Sequence, residues 1–248
     1  MPKPWWKRKG LRVTLIIVIV LGGLLVIADR VAASVAEDKV ATLISQEAGN
    51  QGVTMTTEPD VDMGGWPFVT QVFGGEYEQI DIYFRDITAQ GVNLPELNVH
   101  ASNVTAAMTD VLNGAGPVVA QSMTADARLT YDSISDTLAQ TDAKVEVSAD
   151  GDQLLVKSTI DVFGTQIPVT GAATIEMGEN AVKVTVTQMT ADGVQVPPGG
   201  EGLIQEFASG LSKEIPLPPL PYNLQLSDVK VEPDAVVLSA SANEVPLV

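Results

Sequence analysis

The apolar residues of this chain follow three successive patterns along its length. The first is a run of 16 residues without a charge, Val13–Ala28. As a helix this run would span about 24 Å at 1.5 Å per residue. The second, Asp29–Gly52, has the apolar spacing of a helix with one buried side. From Val53 onward apolar and polar residues alternate, which predicts β-strands.

The predicted helix after Ala28 ends at Gly49-Asn50, a pair typical of helix C-termini. It can continue directly from the charge-free run. Its predicted buried side consists of four apolar residues: Val31, Val35, Leu43 and Ile44.

The alternation predicts an antiparallel sheet with one dry face and one wet face, and therefore an α+β fold. Six residues on the predicted dry face are Ile80, Ile82, Phe84, Leu97, Val99 and Leu129. A sheet of this kind must cover its apolar face. It can curl on itself, pack as two layers or enclose a ligand, and the pattern alone favours an ordinary core.

The first twelve residues predict how the charge-free run sits in a membrane. They contain five Lys or Arg and no acid, and such a cluster marks the cytoplasmic side. Three residues suit the membrane interface: Trp5, Trp6 and Arg12. We therefore expect residues 1–28 to form a cytoplasmic basic tail and a single-pass anchor, and residues 29–248 an extracytoplasmic domain. The alternative is a signal peptide cleaved near Val31-Ala32-Ala33, which would release the same domain as a secreted protein.

Charge and composition exclude several function classes. Beyond residue 12 the chain has 9 basic and 31 acidic residues, a net charge of −22, so it lacks the basic footprint that binds nucleic acid. With no cysteine and His100 as the one histidine, we expect no metal site and no cofactor. The chain also lacks the common motifs of hydrolases, metalloproteases and nucleotide-binding enzymes. We expect no enzyme, and we interpret His100 as a surface or structural residue.

A segment between two glycine pairs, Gly64–Gly75, is unusually rich in large apolar residues. Its motif Gly65-Trp66-Pro67-Phe68-Val69-Thr70-Gln71 follows a helical segment rich in Ala, Val, Asp and Glu, and Leu217–Pro221 is a proline-rich stretch near the C-terminus. With these features in this order, the chain resembles the LmeA-like proteins of the actinobacterial cell envelope over roughly Asp29–Ala242.

The resemblance implies both a function and a fold. The implied function is that of a membrane-anchored, non-catalytic protein that binds phospholipid. It would hold or transfer a lipid during assembly of envelope glycolipids, with phosphatidylinositol or its mannosides as candidate lipids. The implied fold is similar to tubular lipid-binding proteins, with a long helix packed on a strongly curved antiparallel sheet whose apolar face lines a lipid tunnel. The expected lipid-binding residues are Trp66, Phe68, Phe73, Ile80, Ile82, Phe84, Leu97, Val99 and Leu129. The expected partners are phospholipid and the cytoplasmic membrane, and the sequence names no protein partner.

Several alternatives stay open at this point. Trp66 and Phe68 either plug an ordinary core or form the rim where a lipid enters, and a single cation such as Arg85 or Arg128 is a candidate for the head group. The domain as a whole is either a lipid carrier or a non-catalytic scaffold with a filled core, acting through protein partners in the envelope. An enzyme that acts on envelope glycolipid through a carboxylate pair is a third alternative, which no motif supports.

Overall fold

The structure is a computed structural model that describes residues 6–50, 52–89, 92–107, 109, 117–138, 145–178, 181–216 and 224–246. Within these residues the chain forms four helices: α1 (Trp6–Asn50), α2 (Phe68–Gly74), α3 (Tyr131–Leu138) and α4 (Gly200–Leu211). It also forms twelve strands: β1 (Thr54–Met55), β2 (Asp60–Gly64), β3 (Glu76–Ala89), β4 (Val92–Thr105), β5 (Val119–Thr130), β6 (Val145–Asp150), β7 (Gln153–Val162), β8 (Thr165–Met177), β9 (Ala181–Ala191), β10 (Lys213–Pro216), β11 (Gln225–Val231) and β12 (Ala235–Pro246).

The strands divide between two antiparallel sheets. The large sheet has seven strands in the order β1-β3-β4-β5-β12-β11, with β2 paired to β3 beside β1. The small sheet has five strands in the order β10-β9-β8-β7-β6. All of the strand pairs are antiparallel. The α+β class predicted from the alternation is therefore confirmed.

Helix α1 joins the charge-free run to the folded part of the chain without a break. Residues 14–28 are exposed along their whole length, and α1 is long and apolar enough to cross a membrane, with a mean hydropathy of 2.5. From Asp29 onward the same helix packs against the large sheet.

The predicted buried side of α1 is wrong at its first two positions. Val31 and Val35 are 58% and 63% exposed, whereas Ala33 and Ala41 are buried. Leu43 and Ile44 are half-buried. The physical reason is that alanines let the helix backbone approach the sheet closely, so the helix turns Ala33 and Ala41 inward and Val31 and Val35 outward.

Three residues in left-handed conformation lie within long strands and change which side chains face inward. They are Asp86 in β3, Asn103 in β4 and Glu244 in β12, with φ of 50°, 49° and 51°. Ala101 and Val104 are both buried, although strict alternation would place them on opposite faces. Because Asn103 lies between them, the inward side changes at that point, which a period of two in the sequence does not show.

The buried apolar residues form two separate cores. The helix-side core lies between α1, α2 and the large sheet and includes Ala33, Met63, Phe68, Ala101, Met123 and Val245. The sheet-junction core lies around the small sheet and α4 and includes Val156, Val162, Ile167, Val169, Ile204 and, from the large sheet, Val236. The part of the large sheet between these two cores is the region of functional interest.

Candidate functional site

Two rows of apolar residues cross the large sheet between the two cores. Residues paired across antiparallel strands lie on the same face. The first row follows such pairs from β2 to β11, and the second follows them from β3 to β11. We call these two rows the apolar band: Val61, Ile82, Val99, Ala125, Ala240 and Leu226 in the first row, and Phe84, Leu97, Ala127, Leu238 and Val229 in the second.

The middle of the band carries smaller side chains than its flank. Its middle, on β5 and β12, carries the small residues Ala125, Ala127 and Ala240, whereas its flank on β3 and β4 carries larger ones. Ala125 and Ala240 are 8% and 7% exposed. Alanine side chains are short, so the middle of the band is lined by smaller groups than its flank. We call Ala125, Ala127 and Ala240 the alanine floor of the band.

Several large side chains of the band belong to neither core. Ile82, Phe84 and Leu97 are half-buried, and among the residues that the structure describes they belong to neither the helix-side core nor the sheet-junction core. Apolar surface left in water costs about 25 cal/mol per Å². An apolar ligand that covered these side chains would recover that free energy, so the band can bind acyl chains without any catalytic or charged group.

The structure brings six of the nine predicted lipid-binding residues onto one face. Within the band, Ile82 lies opposite Val99 and Phe84 lies opposite Leu97. Ile80 is one row away and packs against the helix-side core. On the other side, Leu129 is paired with Val236 at the edge of the sheet-junction core. Sequence reasoning did not include Ala125 and Ala127 among the lipid-binding residues. The signal that could have found them is the alternation of small and polar residues in β5.

The remaining three predicted residues, Trp66, Phe68 and Phe73, lie apart from the band. Phe68 is 3% exposed in the helix-side core, where its ring lies 6.3 Å from that of Tyr77. Trp66 and Phe73 are 64% and 87% exposed. In the segment between the glycine pairs, the exposed Trp66 therefore precedes a short helix, α2, which buries Phe68 and exposes Phe73. The lipid-binding role predicted for these three residues stays a prediction.

Gly65 and Gln71 hold the turn before α2 in place. Gly65 has a φ of +87°, and a Cβ built on it would lie 2.7 Å from Nε2 of Gln71. Gln71 is buried, and its Nε2 donates a hydrogen bond of 3.1 Å to the carbonyl of Gly64 while its Oε1 accepts one of 2.8 Å from the N–H of Glu78. Gly65 is thus required by a left-handed turn packed against a buried amide.

Helix α2 is fastened to α1 at the point where the charge-free run ends. The Asp29 carboxylate accepts a hydrogen bond of 2.9 Å from the N–H of Val69, and Nη2 of Arg30 donates one of 3.1 Å to the carbonyl of Gly65. The Val69 N–H lowers the pKa of Asp29, with smaller contributions from the Phe68 N–H and from Arg30, while burial opposes the shift. Asp29 therefore caps a helix that lies elsewhere in the chain.

The face of the large sheet opposite the band is polar and acidic. Arg85 is exposed on this face, beside Glu96 of β4. Arg128 points to the same side and forms ion pairs of 2.9 Å with Glu232 and 2.6 Å with Asp234, which raise its pKa. Both cations proposed for the lipid head group thus lie across the sheet from the apolar band.

His100 lies on the polar face in a chain of three side chains. Its Nδ1 bonds to the carboxylate of Asp81, and its Nε2 lies 3.0 Å from Oγ of Ser102. This is the order of a Ser-His-Asp triad. Ser102, however, lies within β4, which pairs with both β3 and β5, so its backbone N–H is committed to the sheet. An oxyanion hole needs free N–H donors. We therefore interpret Asp81, His100 and Ser102 as a hydrogen-bond network that joins β3 to β4.

A polar cavity of about 300 Å³ lies between α1 and β2. It is lined by Arg30, Ala33, Glu37, Asp60, Val61, Asp62 and Tyr83. Charged and polar groups dominate this lining, so the cavity does not suit an acyl chain. Of the predicted interface residues, Trp5 lies outside the described residues, and the side chains of Trp6 and Arg12 are outside the described part as well. Their role stays a prediction.

Comparison with known proteins gives one match. A family model described as LmeA-like phospholipid-binding matches residues 27–241, which takes in α2, both sheets and most of β12. No curated protein and no solved structure matches the chain. The likeness to tubular lipid-binding folds therefore stays a prediction.

Proposed function

The chain belongs to the LmeA-like phospholipid-binding family, and on that premise we propose that it is a membrane-anchored, non-catalytic carrier of phospholipid. Its extracytoplasmic domain, residues 29–248, holds or transfers the lipid, and residues 1–28 form the cytoplasmic tail and the anchor. The lipid we propose is phosphatidylinositol or one of its mannosides, used in assembly of cell-envelope glycolipids. The resemblance of the sequence supports these finer assignments.

The observation that carries the proposal is the group of half-buried band residues Ile82, Phe84 and Leu97, which lie outside both described cores. We propose that acyl chains lie on the floor formed by Ala125, Ala127 and Ala240, against the flank formed by Phe84 and Leu97. Each methylene removed from water contributes about 0.8 kcal/mol. The head group stays at the edge of the sheet, where it is hydrated.

The packing of α1 supports a retained anchor over a cleaved signal. Asp29 and Ala33 are 4% and 2% exposed, and Asp29 and Arg30 hold the start of α2. Cleavage near Val31-Ala32-Ala33 would remove both of these residues and leave the first turn of α2 without its acceptor. Because the packing of the domain includes Asp29, we propose that helix α1 stays uncleaved.

The test uses the full chain and separates lipid in the band from lipid around the anchor. We would purify the protein in detergent and count bound phospholipids by native mass spectrometry. The informative variant is Ala127→Phe, which fills the floor of the band. Its matched control is Thr124→Phe, which places the same side chain on the exposed, polar face of the same strand.

The expected result is one phospholipid per chain in the wild type and in Thr124→Phe, and loss of that lipid in Ala127→Phe. Lipid held only around α1 would respond to neither substitution. Equal lipid content in all three proteins would contradict the carrier proposal. A wild-type protein without bound lipid would favour the alternative, a scaffold that acts through protein partners.

A further inference from the structure

Helix α2 presents a row of exposed apolar residues on one side. Val69 and Phe73 of α2 are 38% and 87% exposed, and their spacing of four residues places them on one side of the helix. Trp66, which comes just before the N-cap residue Pro67, is 64% exposed. Phe68, one position away from the row, is buried in the helix-side core. An aromatic residue that is almost fully exposed on a fastened helix marks a surface that contacts something apolar.

The position of α2 along α1 indicates that the apolar environment in contact with this surface is a lipid bilayer. The hydrogen bonds from Val69 to Asp29 and from Arg30 to Gly65 join α2 to the residues of α1 that directly follow the charge-free run. Residues 14–28, which come just before, are exposed and apolar. The exposed row of α2 therefore lies at the level where α1 would leave a bilayer.

The charge of the segment suits a phospholipid surface. The twelve residues Gly64–Gly75 contain no charged side chain, in a chain whose part beyond residue 12 has a net charge of −22. An acidic surface is repelled by anionic head groups, whereas an uncharged one is not. Tryptophan is also the side chain most typical of the boundary between head groups and acyl chains.

We propose that α2 and Trp66, which precedes it, form a membrane-docking element. The side chains of Trp66, Val69 and Phe73 lie in the head-group region of the bilayer that α1 enters. Together α1 and α2 contact the bilayer at two points, which fixes the tilt of the domain on the membrane. This role is separate from the apolar band. It rests on the proposed anchor, because the row is near a membrane only if α1 remains attached.

The test measures how deeply Trp66 sits in a bilayer. The chain has three tryptophans, so Trp5→Phe and Trp6→Phe together leave Trp66 as the one tryptophan whose fluorescence is measured in the full chain. The protein is reconstituted into phosphatidylcholine vesicles, with or without phosphatidylglycerol. Lipids brominated near the carbonyl end of their acyl chains quench a tryptophan at the membrane boundary, and iodide quenches one in water.

We expect Trp66 emission to be quenched by the brominated lipids and protected from iodide, in both vesicle compositions and at high salt, because apolar contact is not screened. Phe73→Ser should remove most of this lipid quenching. The matched control is Phe163→Ser, since Phe163 is 70% exposed in the turn between β7 and β8 and is distant in sequence from α2. Ala127→Phe should leave the quenching unchanged, because it alters the band alone.

Three results would overturn the proposal. Absence of quenching of Trp66 by brominated lipid, in a chain that stays with the vesicles, would remove docking while leaving the anchor intact. An equal loss of quenching in Phe163→Ser and in Phe73→Ser would remove the assignment to α2. A chain that does not stay with the vesicles at all overturns the anchor, and this proposal with it.

Discussion

The carboxylate of Asp29 in α1 accepts a hydrogen bond of 2.9 Å from the N–H of Val69 in α2, forty positions later in the chain. Proline precedes α2 and provides no side-chain cap. The first turn of α2 is therefore completed by a residue of another helix, which makes the order of α2 depend on α1.

This relationship predicts a dependence of stability on pH. The pKa of Asp29 is lower in the folded chain than in the unfolded one, so its contribution to stability is present above the ordinary aspartate pKa of about 3.9. It is lost as the pH falls below that value and through the folded pKa, because protonation removes the charge that accepts the Val69 N–H. Thermal unfolding of the full chain in detergent measures the effect.

The variant for this prediction is Asp29→Asn, which keeps an acceptor oxygen but cannot ionise. Its unfolding temperature should fall less than that of the wild type as the solution is acidified. Asp38→Asn changes an exposed aspartate of the same helix and controls for the loss of one charge. Parallel curves for the wild type and Asp29→Asn would show that the charge of Asp29 is unimportant.

The two glycines Gly65 and Gly74 should respond in opposite ways to alanine. Gly65→Ala places a Cβ in left-handed backbone and 2.7 Å from Gln71, and we expect a loss of at least about 1–2 kcal/mol in the free energy of unfolding. Gly74→Ala meets no atom within 4 Å and lies at the end of α2, so the expected change is neutral or stabilising by up to about 1 kcal/mol. Urea unfolding of both variants compares them, and equal losses would contradict the assigned turn.

Tyr131 should contribute to stability through its hydroxyl group. Its O–H lies within hydrogen-bond distance of the carbonyls of Glu232 and Ala235, which joins the start of α3 to the turn between β11 and β12. Tyr131→Phe should therefore lower the free energy of unfolding by about 1–2 kcal/mol. Tyr83→Phe changes a tyrosine that is 39% exposed and should have a smaller effect. Equal effects of the two substitutions would show that the hydroxyl bonds of Tyr131 do not matter.

The network of Asp81, His100 and Ser102 provides a test against an enzymatic role. Ser102→Ala removes the hydroxyl that bonds to His100, on the face of the sheet opposite the apolar band. We expect the bound phospholipid to keep both its amount and its intact mass in this variant, as measured by native mass spectrometry and lipid extraction. Hydrolysis of added phospholipid by the wild type, abolished in Ser102→Ala, would instead assign a catalytic role to the network.

Local patterns in the sequence were sufficient for the charge-free helix and for the apolar face shared by β3 and β4, although not for the buried side of α1. The charge-free run became the first part of α1, and the alternation around Ile82 became β3. The pairing of Ile82 with Val99 and of Phe84 with Leu97 placed the predicted residues on one face. Periods of two and 3.6 residues follow from backbone geometry alone, so they can be recognised without knowledge of distant contacts.

Only the tertiary structure decided which of these apolar residues are covered. Phe68 and Phe73 lie five positions apart in one glycine-bounded segment, yet one is buried in a core and the other is 87% exposed. In α1 the sheet is contacted by Ala33 while Val31 faces outward. The pairing of His100 with Asp81 and the gap between the two cores likewise depend on residues far apart in the chain. Burial is set by long-range packing, and hydrophobicity along the sequence records which residues can be buried but not which of them find a partner.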